Sequence, residues 1–314
     1  MPVVRRNVVT DTAARDAYVK GVNLLKRQQT NRTTADFGIE GAATPVRVYD
    51  LFVIWHHRTM STPVPPGGSA RTRNAAHRGP VFLPWHRLML RFLELNLQRV
   101  LRDQSFGLPY WDWSADAAAP RDGRIWKEAW MGGEGDPVNT GPFAFDKGFR
   151  VRVASGLGGT LVQADRGLRR KFFGDAPGLP TTQDVQQVVT AQRGSALAKY
   201  DTPNFDAGSE GFRNTLEGFK GPGLHNQVHR WIHGDMAPAH SPNDPIFFLH
   251  HCNIDRIWEG WMRDHGRVYE PDMTASPQLK GHRIDDPIVS PLGPGATPRS
   301  LLDQTRDVTY DVVP

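Results

Sequence analysis

The chain has 314 residues, of which 39% are hydrophobic and 23% are charged, with one cysteine and a formal net charge of +5. This composition is typical of a globular protein with a sizeable core, and no run of about 18 apolar residues predicts a membrane-spanning helix. The single cysteine excludes an internal disulfide framework and any multi-cysteine zinc or iron–sulfur site. Lysines and arginines are scattered among 33 acidic residues, which favours attraction of small anionic partners over nucleic acid binding.

The N-terminus predicts no targeting segment. Arg5 and Arg6 are paired, but no apolar stretch follows them, as a secretory or twin-arginine signal would require. We therefore expect a cytoplasmic protein, with export alongside a helper protein as the alternative.

Apolar residues at helical spacing predict five main helices. The clearest, Leu83 to Leu101, aligns His86 with a leucine stripe that faces the core. The last helix follows Asn243-Asp244-Pro245, which is typical of a cap with proline in the first turn. The predicted helices are Ala14 to Gln28, Arg47 to Met60, Leu83 to Leu101, Leu224 to Ile232, and a segment from about Pro245 to Arg263.

The remaining segments are rich in glycine and proline. Thr62 to Arg73 predicts a turn or flap, and residues 117–210 predict loops apart from a helical piece near Thr182 to Gln192. A strand is predicted at Asp307 to Val312. Since no internal repeat or linker is present, we expect residues 1–314 to form one mainly α domain, a helical bundle with long loops and a few short strands.

The twelve histidines are unevenly distributed. Four lie near the predicted second and third helices, and six lie near the last two. Two dense clusters indicate two metal sites, or two halves of one. Their members are His56, His57, His77 and His86 in the first, and His225, His229, His233, His240, His250 and His251 in the second.

Each cluster can offer three imidazole nitrogens to one ion. His225 and His229 are four residues apart, which places both on one face of a helix. No carboxylate or thiolate at a matching spacing completes either set, so zinc or copper is favoured over magnesium or calcium. Two adjacent three-histidine sites with open positions favour a redox pair that binds O2. A purely structural zinc protein is disfavoured, because six imidazoles without a thiolate are a poor structural zinc set.

In two doublets of adjacent histidines, helical periodicity does not decide which member is the metal ligand. His56 and His57 both flank apolar neighbours, as do His250 and His251, so either member of each pair can be the ligand. His233 and His240 are expected to lie at the surface or beside the ligands.

Several long motifs resemble the tyrosinase family, bacterial members above all, and they occur in the family's order over residues 50–260. The copper A half is similar at Phe52-Val53-Ile54-Trp55-His56, Asn74-Ala75-Ala76-His77 and Phe82-Leu83-Pro84-Trp85-His86-Arg87. The copper B half is similar at Leu224-His225-Asn226-Gln227-Val228-His229-Arg230-Trp231 and at Pro242-Asn243-Asp244-Pro245 through Trp258.

The resemblance implies a type 3 dicopper centre in a four-helix bundle, with a copper A half at about residues 47–115 and a copper B half at about 211–265. It implies two copper ions per chain, with His56, His77 and His86 on one and His225, His229 and His251 on the other. It further implies that Glu217 and Asn226 hold a water near the second copper. Arg230 would lie at the mouth of the site.

The activity implied by the resemblance is ortho-hydroxylation of monophenols and oxidation of o-diphenols to o-quinones with O2, as in melanin formation. An o-aminophenol or catechol oxidase without hydroxylation is the alternative, and a haemocyanin-like O2 carrier is a distant one. A small copper-delivery helper protein is expected as a partner. The chain departs from the family at His233, which replaces a glycine, and at Cys252, which is misplaced for the thioether crosslink of some relatives.

Overall fold

A computed structural model of the chain describes residues 1–290 and 295–314. Within them the structure is mainly helical, with short strands and long connecting loops. The helices are α1 (Thr12–Arg27), α2 (Val48–Met60), α3 (Phe82–Leu101), α4 (Thr182–Val189), α5 (Phe212–Glu217), α6 (Leu224–Ile232) and α7 (Ile246–His265). The strands are β1 (Val3–Arg5), β2 (Gln29–Thr33), β3 (Pro45–Arg47), β4 (Arg152–Val153), β5 (Val162–Gln163) and β6 (Val308–Tyr310).

Local signals in the sequence account for the ends of several helices. The Asp11 carboxylate accepts a hydrogen bond from the backbone N–H of Ala14 at the start of α1, which satisfies a donor that the helix leaves free. Asp244 does the same for Ile246 at the start of α7, at 3.1 Å. Thr181 and Asp184 form a capping box on α4. Each of these caps fixes where a helix enters the core.

Helices α2, α3, α6 and α7 surround the histidines. Trp55 of α2 and Trp85 of α3 contact each other with ring centroids 5.0 Å apart, and Phe52 of α2 meets Phe248 of α7 edge-on at 5.8 Å. The α3 and α7 helices are joined by an ion pair between Arg87 and Asp255 at 2.6 Å. These four helices form the bundle that holds the site.

The strands lie at the periphery and join distant parts of the chain. β1 pairs in parallel with β6, with Val3 opposite Val308, while β2–β3 and β4–β5 are short antiparallel pairs. No helix among the described residues is long and apolar enough to cross a membrane.

The predicted helices are confirmed with small shifts at their ends, and α6 has the predicted bounds. The predicted C-terminal strand is present but shorter, as β6. The helix at α4 ends at Val189 rather than near Gln192. The six-residue helix α5 and the strands β1 to β5 were not predicted, because short elements carry too few residues to show a period.

Candidate metal centre

The first histidine cluster joins three parts of the chain. His56 lies on α2, His86 on α3, and His77 in the loop between them, and the three donor nitrogens lie within 4.8 Å of one another. The loop histidine is positioned by Asn74, whose side-chain oxygen accepts a hydrogen bond from the His77 backbone N–H at 2.9 Å. His282 in turn donates to the Asn74 carbonyl at 3.0 Å.

The second cluster is formed by α6 and α7. His225 and His229, one helical turn apart on α6, have ring centroids 4.5 Å apart. His250 and His251 on α7 complete a group of four whose donor atoms lie within 4.8 Å. The Nε2 atoms of His225 and His251 are 3.3 Å apart, the separation of about 3.3 Å expected for two nitrogens bound tetrahedrally to one ion at about 2.05 Å.

The two clusters are in direct contact. The rings of His86 and His251 stack with centroids 4.1 Å apart and an interplanar angle of 7°, and His77 lies 6.2 Å from His225 between ring centroids. Phe82 and Phe247 pack against histidines of both sets. The arrangement therefore places two metal-binding sets side by side within an apolar wall.

The hydrogen bonds of the imidazoles leave one nitrogen of several rings free for a metal. The Nδ1 atoms of His56, His86 and His229 donate to the backbone carbonyls of Ala239, Phe82 and Met236 at 2.7, 2.8 and 2.5 Å. Their buried Nε2 atoms have no partner. An imidazole that donates through one nitrogen presents a lone pair at the other, which is the form that metals bind. The residues present thus fit a pair of metal ions.

Burial keeps these imidazoles neutral. It lowers the pKa of His56 to about 3 and that of His229 to about 4, and it lowers the pKa values of His77, His86, His225, His250 and His251 well below the usual range. Neutral rings are required for metal binding.

Three other histidines of the two sequence clusters are engaged elsewhere. His57 donates through Nε2 to the Gly159 carbonyl at 2.8 Å and is absent from the first cluster. His240 accepts from the Ala154 N–H at 3.3 Å. His233 lies 3.1 Å from the Asp175 carboxylate and is partly exposed. The structure therefore brings His56 and not His57 to the first cluster, whereas both His250 and His251 reach the second.

A cavity of about 510 Å³ opens onto both clusters. Its wall includes four of the clustered histidines and all three other predicted site residues. The lining contains His56, His77, His225, His229, Glu217, Asn226 and Arg230, together with Met60, Arg78, Asp175 and Phe219.

The Glu217 carboxylate is buried and tightly held. Oε2 accepts from the Arg213 guanidinium at 3.0 Å, and Oε1 accepts from the Arg78 backbone N–H at 2.6 Å. Burial raises the pKa of Glu217, and the adjacent Arg213 opposes that rise. The Glu217 backbone carbonyl also accepts from His225 Nδ1 at 3.1 Å, so this residue orients a ligand as well as lining the cavity.

Asn226 and Arg230 lie beside the α6 histidines. The side-chain oxygen of Asn226 accepts from His225 Nδ1 at 3.0 Å. The exposed Arg230 donates to the Asp175 carbonyl at 2.5 Å. The predicted water between Glu217 and Asn226 stays a prediction.

Several residues of the site were missed by the sequence analysis, and three of them bear on its chemistry. Arg213 holds Glu217, and Arg78 and Phe219 line the cavity, where the Arg78 guanidinium lies 4.7 Å from the centre of the Phe219 ring. Arg213 and Glu217 are four residues apart, a spacing that allows an ion pair on one face of a helix, so this pair could have been predicted. Arg78 and Phe219 could not be predicted from a periodic pattern, because both lie in loops.

The comparison with known families agrees with this geometry. A sequence model of the tyrosinase family, described as the common central domain of tyrosinase, matches residues 46–264. The chain belongs to the tyrosinase family. The assignment of all of residues 1–314 to one domain stays a prediction.

Bacterial tyrosinases are among the relatives by sequence. The tyrosinase of Streptomyces antibioticus is 39% identical over 276 residues, which cover 84% of this chain and 89% of that protein. Grixazone synthase of Streptomyces griseus is 36% identical, with 84% and 90% covered. These relatives confirm the predicted bacterial tyrosinase family and the prediction of a tyrosinase-like oxidoreductase.

Solved structures show the same fold. A polyphenol oxidase from Thermothelomyces thermophila matches with a TM-score of 0.68 at 22% identity, covering 98% of this chain and 88% of that one. A tyrosinase from Burkholderia thailandensis matches with a TM-score of 0.56 at 16% identity, covering 100% and 74%. The predicted mainly α fold is therefore confirmed, and family and fold together support a type 3 copper oxidase.

Proposed function

We propose that this tyrosinase family member binds two copper ions per chain and uses O2 to hydroxylate monophenols and to oxidise o-diphenols to o-quinones. The observation that carries the proposal is the pair of contacting all-imidazole clusters below an open cavity. The bound copper pair would supply the electron transfer between O2 and the phenol ring. The overall conversion of a monophenol and O2 to an o-quinone and water is balanced without another reductant.

The proposed ligands are His56, His77 and His86 on one copper, and His225, His229 and His251 on the other. The rings of His56, His86 and His229 are held in place by backbone carbonyls that accept hydrogen bonds from their Nδ1 atoms. Phe82 and Phe247 exclude water from the side away from the cavity. The chain thereby provides a rigid and neutral set of donors that favours copper or zinc over harder ions.

Hydroxylation requires a base, because a phenol with a pKa of about 10 is protonated at neutral pH. Glu217 and Asn226 line the cavity next to His225, and a carboxylate oxygen has lone pairs left after one hydrogen bond. A water held between these two side chains would accept the phenol proton. Arg230 at the same cavity would attract substrates that bear a carboxylate.

A catechol or o-aminophenol oxidase without hydroxylation is the second candidate function. It is favoured by the engagement of both Glu217 oxygens, one by Arg213 and one by the Arg78 N–H, which weakens the carboxylate as a base. The haemocyanin-like carrier has less support, because a cavity of about 510 Å³ reaches histidines of both clusters. Delivery of copper by a small helper protein stays a prediction.

The test combines metal analysis with turnover. Protein loaded with copper should contain two ions per chain and should oxidise a catechol, and a monophenol should be converted to the same quinone. Turnover of a catechol or o-aminophenol without any monophenol turnover would support the narrower oxidase. Reversible O2 uptake without turnover of any of the three would support the carrier, and full activity with zinc alone would refute the copper assignment.

A further inference from the structure

Each half of the metal centre contributes one arginine to the cavity. Arg78 directly follows His77 of the first cluster, and Arg230 directly follows His229 of the second. Both arginines line the same cavity. The two differ in how their guanidinium groups are engaged within the part of the chain that the structure describes.

The backbone of Arg78 is held in place, whereas its guanidinium forms no hydrogen bond or ion pair with a described residue. Its φ of +62° lies in the left-handed region that a non-glycine residue rarely adopts, and its N–H is held by Glu217. The guanidinium lies over the Phe219 ring; it forms no ion pair with a described residue, although its charge helps to lower the pKa of the nearby Glu217 carboxyl, which burial raises. Arg230, by contrast, already donates to the Asp175 carbonyl.

The lack of a carboxylate partner among the described residues distinguishes Arg78 from the five arginines that are at most 3% exposed. Each of those forms an ion pair: Arg5 with Glu94, Arg87 with Asp255, Arg152 with Asp50, Arg170 with Asp244, and Arg213 with Asp201. A half-buried arginine at a cavity wall, whose guanidinium donates to no acceptor among residues 1–290 and 295–314, is suited to bind an incoming carboxylate.

A second, smaller cavity adjoins the first at Arg78. It has a volume of about 200 Å³ and shares Met60, Arg78 and Pro238 with the larger one. Its other walls include the apolar side chains of Ala154 and Leu157 and the polar side chains of Arg71, Asn74 and His240. A substituent that extends from the phenol ring past Arg78 would therefore contact apolar side chains while its charge stays near the guanidinium.

We propose that Arg78 is a specificity-determining residue that binds a carboxylate on the side chain of the phenolic substrate. With Arg230 it places two guanidinium groups in the cavity wall, where Asp175 and Glu217 are the acidic side chains and Glu217 shares Arg213 with Asp201. The enzyme then prefers anionic phenols and catechols to neutral ones, and neutral ones to cationic amines. This inference rests on the proposed phenol oxidase activity.

The experiment compares substrates that differ in charge alone. 3-(3,4-Dihydroxyphenyl)propionate and its primary amide have the same ring and chain length, so the ratio of their kcat/KM values measures recognition of the carboxylate. We expect the acid to be favoured about tenfold in the wild type, which corresponds to one charge-assisted hydrogen bond at a partly exposed site. Arg78→Gln should lower this ratio to the smaller part that Arg230 contributes, and Arg78→Lys should restore part of the loss.

The matched control is Arg193→Gln, at an exposed position outside both cavities, which should keep the wild-type ratio. Copper content and melting temperature are measured for every variant. An unchanged ratio in Arg78→Gln, with loss of the preference in Arg230→Gln, would assign the carboxylate to Arg230 and overturn the proposal.

Binding without chemistry separates this inference from the proposed function. 3-Phenylpropionate and 3-phenylpropionamide cannot be hydroxylated through a ring oxygen, and their dissociation constants for the metal-free protein can be measured by ligand-observed NMR. Tighter binding of the acid that is largely lost in Arg78→Gln supports the proposal even if no phenol is oxidised. Equal binding of acid and amide by the wild type would refute it even if catechols are oxidised.

Discussion

The Arg213 guanidinium donates a hydrogen bond to the Glu217 carboxylate at 3.0 Å, one helical turn along α5, and both side chains are buried. Arg213 also binds the Asp201 carboxylate at 2.6 Å. One cation thus holds two buried carboxylates, of which only Glu217 lines the cavity. The α5 helix therefore serves to fix an acidic group beside His225.

Replacing Glu217 tests its role as a base. We expect Glu217→Gln to lower kcat for a monophenol by about 10²-fold, within the usual contribution of general base catalysis, and to lower kcat for a catechol much less. Steady-state rates with both substrates on copper-loaded protein measure the difference. Glu210→Gln, at an exposed ion pair with Lys220, is the control. Equal slowing of both reactions would show that Glu217 only supports the structure.

Removing the shared cation should destabilise the fold. Arg213→Met leaves Asp201 and Glu217 buried without their partner, and loss of one member of a buried ion pair costs about 3–5 kcal/mol. Urea unfolding of the metal-free protein measures this loss. Lys220→Met breaks only the exposed pair with Glu210 and should cost under about 1 kcal/mol. Similar values for the two variants would contradict the importance of the buried pair.

Variants of the two histidines in the first doublet should differ in the number of copper ions that the protein binds. His56→Gln removes a donor whose Nε2 is unpaired within the cluster, so the protein should bind one copper per chain instead of two. His57→Gln removes only a hydrogen bond to the Gly159 carbonyl and should keep both. Copper analysis after dialysis gives the counts, and the opposite result would assign the ligand to His57.

The sequence predicted those parts of the site that depend on local spacing. His225 and His229 follow from the helical period, and α6 was placed with its observed bounds. The choice of His56 over His57 required the family resemblance, because the deciding contact joins His57 to Gly159, more than a hundred residues away. Such a contact depends on how the loops pack, which no short-range pattern encodes.

The strand pairing between the two ends of the chain could not be predicted from the sequence either. β1 has three residues, and its partner β6 lies about three hundred residues later. The environment of the Arg78 guanidinium could not be predicted for the same reason, since it lies over the ring of Phe219, far along the chain. Long-range contacts therefore set the environment of Arg78 and separate His56 from His57, while local spacing predicts the histidine pair on α6.

The buried histidines predict an acid-sensitive metal-free protein. Burial lowers the pKa of His56 to about 3 from its usual 6.5, so between these values the unfolded chain binds a proton that the folded chain does not. Stability must then fall as the pH decreases from about 6.5 toward 3. Melting temperatures of the metal-free protein across this range measure the fall. The slope should be smaller in His56→Gln, and a flat profile would contradict the buried, neutral state of the cluster.

The second doublet is decided by which ring binds the metal. His251 Nε2 lies 3.3 Å from His225 Nε2, and its ring stacks on His86 of the other cluster. His250 is also buried, with neither nitrogen hydrogen-bonded, and stacks on His225 with centroids 5.1 Å apart. Because His251 has the nitrogen spacing of a shared ion and contacts both clusters, we expect it to be the ligand.

His251→Gln should therefore bind one copper per chain and lose catechol oxidation. His250→Gln should bind two and keep most of its activity, with a weaker affinity because a ring that packs against His225 is lost. Copper analysis and competition with a copper chelator measure both effects. If His250→Gln loses a copper while His251→Gln retains two, the ligand is His250. If both variants lose the same copper, the second site uses four histidines.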